Sequence, residues 1–340
     1  MSALRILFNL YPGEASRSKL FVLLGLLWSF GGYGIFTLSE GAFLEYVGTA
    51  ALPLCYVSIA VGLCLLSTIL LSLLNRLPIH RFLGGMFALC SVVLFSFYSL
   101  YTLSALTLSP TFWLAFRIMG WIIPISSYIC FWSFIDQYFD LQDGKRFFSF
   151  FNSFLMLGDF LAAGVISCFV QRIGMGPLML LFGAALLSAL PLVLMISRTT
   201  PPILDEHVDH MDSPPPSTIK QTLNILVSSR FTLLLLLFYL GMQLVHIVTE
   251  YNYMDAFQCA FQNTSDHNLT AFVGRCSMWI SFGNMLLGFL IYGRLVKQMG
   301  INNIILIAPT LFLCCHHCGY GNKGFISQSV VWLLVKACPM

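Results

Sequence analysis

Apolar residues run in long stretches separated by short polar breaks, from about residue 20 to residue 318. A spanning helix needs about 20 mostly apolar residues, because a rise of 1.5 Å per residue must cover roughly 30 Å of hydrocarbon. That requirement predicts spans at 20–38, 50–74, 82–103, 112–135, 147–169, 176–196, 231–248, 272–292 and 301–318. No stretch alternates apolar and polar positions at period two, so a β-barrel is not expected. The expected class is an all-α membrane protein with about nine spans.

Composition supports this pattern. Hydrophobic residues make up 58% of the 340 positions and charged residues 9%. A soluble domain carries roughly 25% charged residues, and so few could not hydrate its surface. The net charge of +3 comes with no basic run interleaved with aromatics, so no nucleic-acid partner is expected. Of the 11 cysteines, Cys55, Cys64, Cys90, Cys130 and Cys168 fall within apolar runs and are expected to be buried thiols. Residues 1–19 are basic and lead into an apolar run, as in a signal peptide. The length of that run and the spans after it favour an uncleaved first helix.

The loop charges predict an orientation. Arg5, Arg17 and Lys19 precede the first span, and segment 39–48 has no Lys or Arg. Arg76 and Arg81 follow the second span, and 104–111 again has none. Lys145 and Arg146 come next, then a single Arg172, then Arg198, Lys220 and Arg230. Segment 249–271 has none, and Arg294 and Lys297 follow. This alternation follows the positive-inside rule and places the N-terminus in the cytoplasm.

The chain divides into a six-helix bundle at 1–197, a Pro-rich cytoplasmic linker at 198–230, a partial second bundle at 231–318 and an atypical tail at 319–340. Six spans, a long linker and further spans is the layout of a transporter built from two six-helix halves. Only three spans follow the linker, so the second half reads as truncated. After Pro309 the character changes, through Cys314-Cys315-His316-His317-Cys318 and a Gly/Asn/Lys segment, and 329–335 is too short to span.

An ionisable residue inside a span costs roughly 2.5–3.5 kcal/mol on insertion scales and is a functional candidate. Arg117 and Asp159 stand out. Arg117 could snorkel to an interface, and Asp159 could pair with Arg117 or line a polar cavity. Gln243, His246 and Glu250 share one face of the seventh span, which suggests a water-filled path or a contact with a neighbouring helix. The contiguous ligands of 314–318 point around a full helical turn, so no metal site is expected. Asn263-Thr264-Ser265 and Asn268-Leu269-Thr270 match glycosylation sequons. Gly31-Gly32-Tyr33-Gly34, and Gly158 with Ala162, read as close-packing surfaces. No Walker loop, nucleophile elbow or HExxH motif occurs, and neither an enzyme nor a cofactor is expected.

Segment 131–151 reads FWSFIDQYFDLQDGKRFFSFF. It resembles the bacterial and plastid ADP/ATP translocase family, through Phe131, Trp132, Phe134, Gln137, Lys145, Arg146 and Phe147 at the family's spacing. Weaker likeness lies in Phe43-Leu44-Glu45-Tyr46-Val47-Gly48 with Leu52-Pro53-Leu54, and in Glu250-Tyr251 with Phe272-Val273-Gly274. The resemblance covers roughly 20–300. It implies a major-facilitator-like helical bundle that exchanges ATP for ADP by alternating access. Arg117, Lys145, Arg146 and Arg275 would then meet phosphates, and Glu250 and Asp159 would form switching ion pairs.

The chain departs from the family pattern at three places. Leu38-Ser39-Glu40 stands where the family has a basic-acidic stretch, Gly120 where it has a membrane-embedded glutamate, and Asn252, Met254 and Asp255 where lysines follow its acidic residue. The family's last three helices have no counterpart. A carrier of the same fold for another solute, proton-coupled through Asp159 or Glu250, and a non-transporting remnant are the alternative expectations.

Overall fold

The computed structural model describes residues 14–74, 77–103, 109–139, 141–199, 229–261 and 269–288. They form α1 (Glu14–Tyr46), a 3-10 turn (Thr49–Ala51), α2 (Leu52–Leu74), α3 (Ile79–Thr102), α4 (Pro110–Asp136), α5 (Leu141–Ile173), α6 (Met175–Thr199), α7 (Arg230–Phe261) and α8 (Leu269–Leu286). No strand occurs among the described residues. The helices α1 to α7 are each long and apolar enough to cross a membrane. The predicted span 272–292 begins on α8 and runs past the described residues. The predicted span 301–318, most of the linker, the tail, the 314–318 cluster and both sequon asparagines lie outside them.

Exposed apolar surface agrees with a multi-pass membrane protein. On α2, Leu54, Val57, Val61, Leu65 and Ile69 recur at helical spacing and are all exposed. A continuous stripe of that kind on a soluble protein would drive aggregation, whereas lipid solvates it. The thiols divide accordingly. Cys55, Cys90 and Cys130 are buried, but Cys64 and Cys168 are exposed, correcting the expectation that all five are buried.

Two helices run further than their hydropathy predicts. Segment 39–48 reads as a loop because it opens on Ser39 and Glu40, yet α1 stays helical to Tyr46 and buries Ala42, Phe43 and Leu44. It stops where Gly48 adopts φ 87 and ψ 171, a conformation open to a residue without a side chain, and donates its N–H to the Phe43 carbonyl. Likewise α7 continues through most of the predicted loop 249–271, to Phe261. Between α5 and α6 a single left-handed residue, Gly174 with φ 79, reverses the chain.

The first helix is the centre of the bundle and touches α4, α5, α6, α7 and α8. Small residues permit this. The Gly34 position faces the Phe182 ring of α6 with no room for a side chain, and Gly31 faces Leu186 and the Phe182 carbonyl. A Cβ at Gly41 would stand 2.7 Å from the Thr270 Cα of α8. One at Gly158 of α5 would stand 2.8 Å from the Leu26 carbonyl oxygen of α1. In lipid no hydrophobic force joins apolar helices, so close backbone approach and polar contacts hold them together.

The packing has an internal symmetry. Helix α1 lies against α5 and α6, and α4 lies against α2 and α3. Helix α1 also meets α4, α3 meets α6, and the neighbours α2–α3 and α5–α6 touch lightly. Exchanging the triplet α1–α3 with α4–α6 maps this set of contacts onto itself. Helix α8 packs on α5 and α1, whereas among the described residues of α7 the buried side chains lie in its C-terminal half. There Glu250, Met254 and Phe257 are buried, and the leucines from Leu233 to Leu237 are exposed.

Candidate functional site

Four polar residues of α1 recur at helical spacing: Ser29, Tyr33, Thr37 and Glu40. At 3.6 residues per turn they fall within about 80° of one another, and rise over about 16 Å. This face turns toward α5, α7 and α8, because the α1 glycines at other angles admit α4 and α6. A polar seam therefore runs through an otherwise apolar bundle.

At one end of the seam, the Ser29 hydroxyl lies between the Asp159 carboxylate of α5 and the Leu155 carbonyl oxygen, 2.7 Å from the latter. Asp159 is buried. Tyr33 comes next, near Ser281 and Ser277 on α8. The Thr37 hydroxyl is fully buried and has no hydrogen-bond partner among the described residues. At the other end Glu40, 3% exposed, accepts a 2.8 Å hydrogen bond from the Tyr253 hydroxyl of α7.

Beside Glu40 lies the pair that closes the site. Arg117 of α4 donates to Glu250 of α7 at 2.7 Å, with the two side chains 0% and 1% exposed. The guanidinium sits over the rings of Phe36 and Trp121, at 5.1 Å and 5.6 Å from their centroids, a cation–π arrangement strengthened by desolvation. It makes a long 3.5 Å contact with the Phe36 carbonyl. Arg117 Nε and Glu250 Oε2 are left without a partner among the described residues. The Tyr56 hydroxyl of α2 neighbours the Glu250 carboxylate.

Further polar contacts join the ends of these helices. Gln258 Oε1 accepts from the Thr49 backbone N–H at 2.7 Å, and Thr49 Oγ1 donates to Asp255 at 3.3 Å. Glu45 accepts from the Thr270 hydroxyl at 2.7 Å and from its backbone N–H at 3.4 Å. A carboxylate suits that place at the start of α8, where backbone N–H groups are unpaired. A cleft of about 260 Å³ opens beside it, lined by Glu45, Tyr46, Tyr101, Gln171, Met175 and Thr270.

Of the predicted residues, Arg117 and Glu250 come together. Arg117 does not snorkel, and its partner is not Asp159, which is held by Ser29 further along α1. Of the predicted polar face on α7 only Glu250 is buried. Gln243 is half-buried, and His246 is exposed with its ring 6.4 Å from that of Trp121. Lys145 and Arg146 lie on the first turns of α5. Arg275 is half-buried on α8 and forms no ion pair among the described residues. The Gly120 position faces Ser39 so closely that no side chain fits there.

Sequence reasoning missed Glu40, Tyr253 and Tyr33. The signal was available for Glu40: apolar Ile35, Leu38 and Ala42 keep helical period through Ser39 and Glu40. Among the described residues three carboxylates, Glu40, Asp159 and Glu250, are buried together with one guanidinium, Arg117, which bonds Glu250. A charge in such a place is costly unless paired or neutralised. No group of three His, Cys, Asp or Glu side chains that could hold a metal ion occurs among the described residues. Comparison with protein-family models, with characterised proteins and with solved structures finds no match for this chain.

Proposed function

We propose that the chain is a membrane carrier of major-facilitator architecture, working by alternating access, with its N-terminus in the cytoplasm of a bacterial cell. The observation that carries this reading is the attachment of α7. Among the described residues its buried side chains lie in its C-terminal half, where it meets the six-helix body through contacts that include the buried Arg117–Glu250 pair and the Tyr253–Glu40 hydrogen bond. Contacts of that kind can be broken and remade as one group of helices rocks against another. The triplet symmetry of α1 to α6 also supports the architecture, since each half of such a carrier is built from two three-helix repeats.

The solute we propose is an adenine nucleotide, ATP entering against ADP. Support comes from the resemblance of 131–151 to the nucleotide translocases and from the chemistry of Arg117. Its guanidinium is already desolvated and its Nε–H has no partner among the described residues, so a phosphate could replace Glu250 as its partner. Lys145, Arg146 and Arg275 are the further candidates for phosphate contact. Cells expressing the chain are expected to take up radiolabelled ATP, with excess unlabelled ADP suppressing the uptake. Uptake no greater than background, or indifferent to ADP, would refute the nucleotide assignment.

A second reading is a proton-coupled carrier of the same fold for another solute. The excess of buried carboxylates over buried cations favours it. In that case Asp159→Asn, which keeps an acceptor for Ser29, removes the pH dependence of transport and leaves folding intact. Transport with unchanged pH dependence in the variant would exclude that role for Asp159.

A further inference from the structure

We propose that the cleft beside Glu45 binds an alkylammonium group, the charged end of a soluble amine or of an aminophospholipid. The inference concerns a part of the molecule that the proposed transport gives no role, and it does not depend on the solute carried.

The cleft lies at the end of the bundle where α1, α3 and α5 finish and α6 and α8 begin. Its volume of about 260 Å³ falls below that of pockets for drug-sized molecules and suits a small ligand. Glu45 is the one charged side chain of its lining. Both contacts from Thr270, the hydroxyl at 2.7 Å and the backbone N–H at 3.4 Å, fall on Glu45 Oε2. Among the described residues Oε1 makes no hydrogen bond and no Lys or Arg pairs with Glu45. A carboxylate fixed through one oxygen and open at the other is a ready acceptor for a cationic donor.

The walls are aromatic and held in place. Trp113 of α4, 2% exposed, stacks on the Tyr46 ring with centroids 4.5 Å apart and planes 8° apart. It meets the Tyr101 ring of α3 edge-on, at 6.1 Å and 70°. Tyr101 also packs against Gly176 of α6, where a Cβ would stand 3.0 Å from the ring. Little ordering of these tyrosines is therefore left to offset binding. A tyrosine ring attracts a cation to its face, and its hydroxyl oxygen accepts from an ammonium N–H. The side-chain carbonyl of Gln171 is a further acceptor, and Val170, Met175 and Ala271 give apolar surface for the methylene groups of the ligand.

Other ligands fit less well. An anion would meet the Glu45 carboxylate with no cation in the lining to offset it. A calcium ion takes about six to eight oxygens, and this lining offers a single carboxylate with one oxygen already bonded. The lining is drawn from α1, α3, α5, α6 and α8, so an occupied cleft ties α8 to the six-helix body.

Thermal unfolding of the purified protein in a non-ionic detergent tests this, with n-butylammonium chloride as the probe and sodium chloride at the same ionic strength as the control. The unfolding midpoint is expected to rise saturably with butylammonium and not with sodium, because a ligand bound by the folded state alone stabilises it. Glu45→Gln keeps an acceptor for Thr270 and removes the charge, and is expected to raise the half-maximal concentration by about tenfold or more. Gln171→Lys, at an exposed position, supplies a tethered ammonium group of its own. It is expected to abolish the butylammonium effect, so the test survives if Glu45→Gln fails to fold. Phosphatidylethanolamine added to the micelles separates the two sources, and either result upholds the site. A lipid occupant removes the butylammonium effect, whereas a soluble amine as the occupant leaves it in full. No rise beyond that in sodium chloride overturns the proposal. So does a rise unaltered by both variants, or a rise with calcium chloride and none with butylammonium.

Discussion

Arg117→Met is expected to destabilise the protein by about 3–5 kcal/mol, the loss typical when one partner of a buried ion pair is removed and the other stays charged. Arg117 and Glu250 are 0% and 1% exposed and touch at 2.7 Å, so neither can turn to water when its partner is lost. The variant also loses the cation–π contacts with Phe36 and Trp121. Combining Arg117→Met with Glu250→Leu should recover most of the loss, because a hydrophobic pair of similar volume carries no desolvation cost. Reversible unfolding of the purified protein in mixed micelles, followed for the wild type, both single variants and the double variant, gives the coupling energy. Additive single and double effects would mean that the pair does not hold α7 to the bundle.

The other large effect is expected from a residue with no polar group. Gly158→Leu is expected to cost at least the about 1–3 kcal/mol of ordinary overpacking. Its first side-chain atom alone would stand 2.8 Å from the Leu26 carbonyl oxygen and 3.1 Å from the Phe30 backbone nitrogen. Those are backbone atoms and cannot swing aside as a side chain can. Helix α1 would have to move off α5, which would also part Ser29 from Asp159. The comparison that isolates packing is Asp159→Asn, one position further on, which changes a buried charge and keeps the shape. Its thermal stability should stay close to wild type while that of Gly158→Leu falls well below. The reverse order would show that the charge of Asp159, and not the close approach of backbones, holds α1 against α5.

Much of the fold was legible because spanning helices must be apolar over a fixed length, and the positions of α1 to α7 follow from that rule. Their ends were not so legible. Ser39 and Glu40 look like the start of a loop to any measure of hydropathy, since a buried carboxylate is indistinguishable in sequence from an exposed one. What keeps Glu40 inside is Tyr253, more than two hundred residues away. The same limit applied to Arg117 and Asp159. Both were recognisable as costly residues in a span, but which acid the arginine meets depends on how α7 docks, and no local pattern encodes that. Gly120 shows the converse. As a departure from the translocase pattern it looked like a lost functional group, whereas its place against Ser39 makes it a point of close contact between α1 and α4.

The proposed carrier stands or falls on whether α7 parts from the body during transport. The contacts at the Thr49 end give a direct handle, because Gln258 Oε1 lies 2.7 Å from the Thr49 backbone nitrogen. In a background without native cysteines, Thr49→Cys with Gln258→Cys places a thiol on each side of that contact. ATP uptake should be lost when the two are oxidised to a disulfide and should return on reduction. Undiminished uptake with the disulfide fully formed would contradict alternating access through movement of α7.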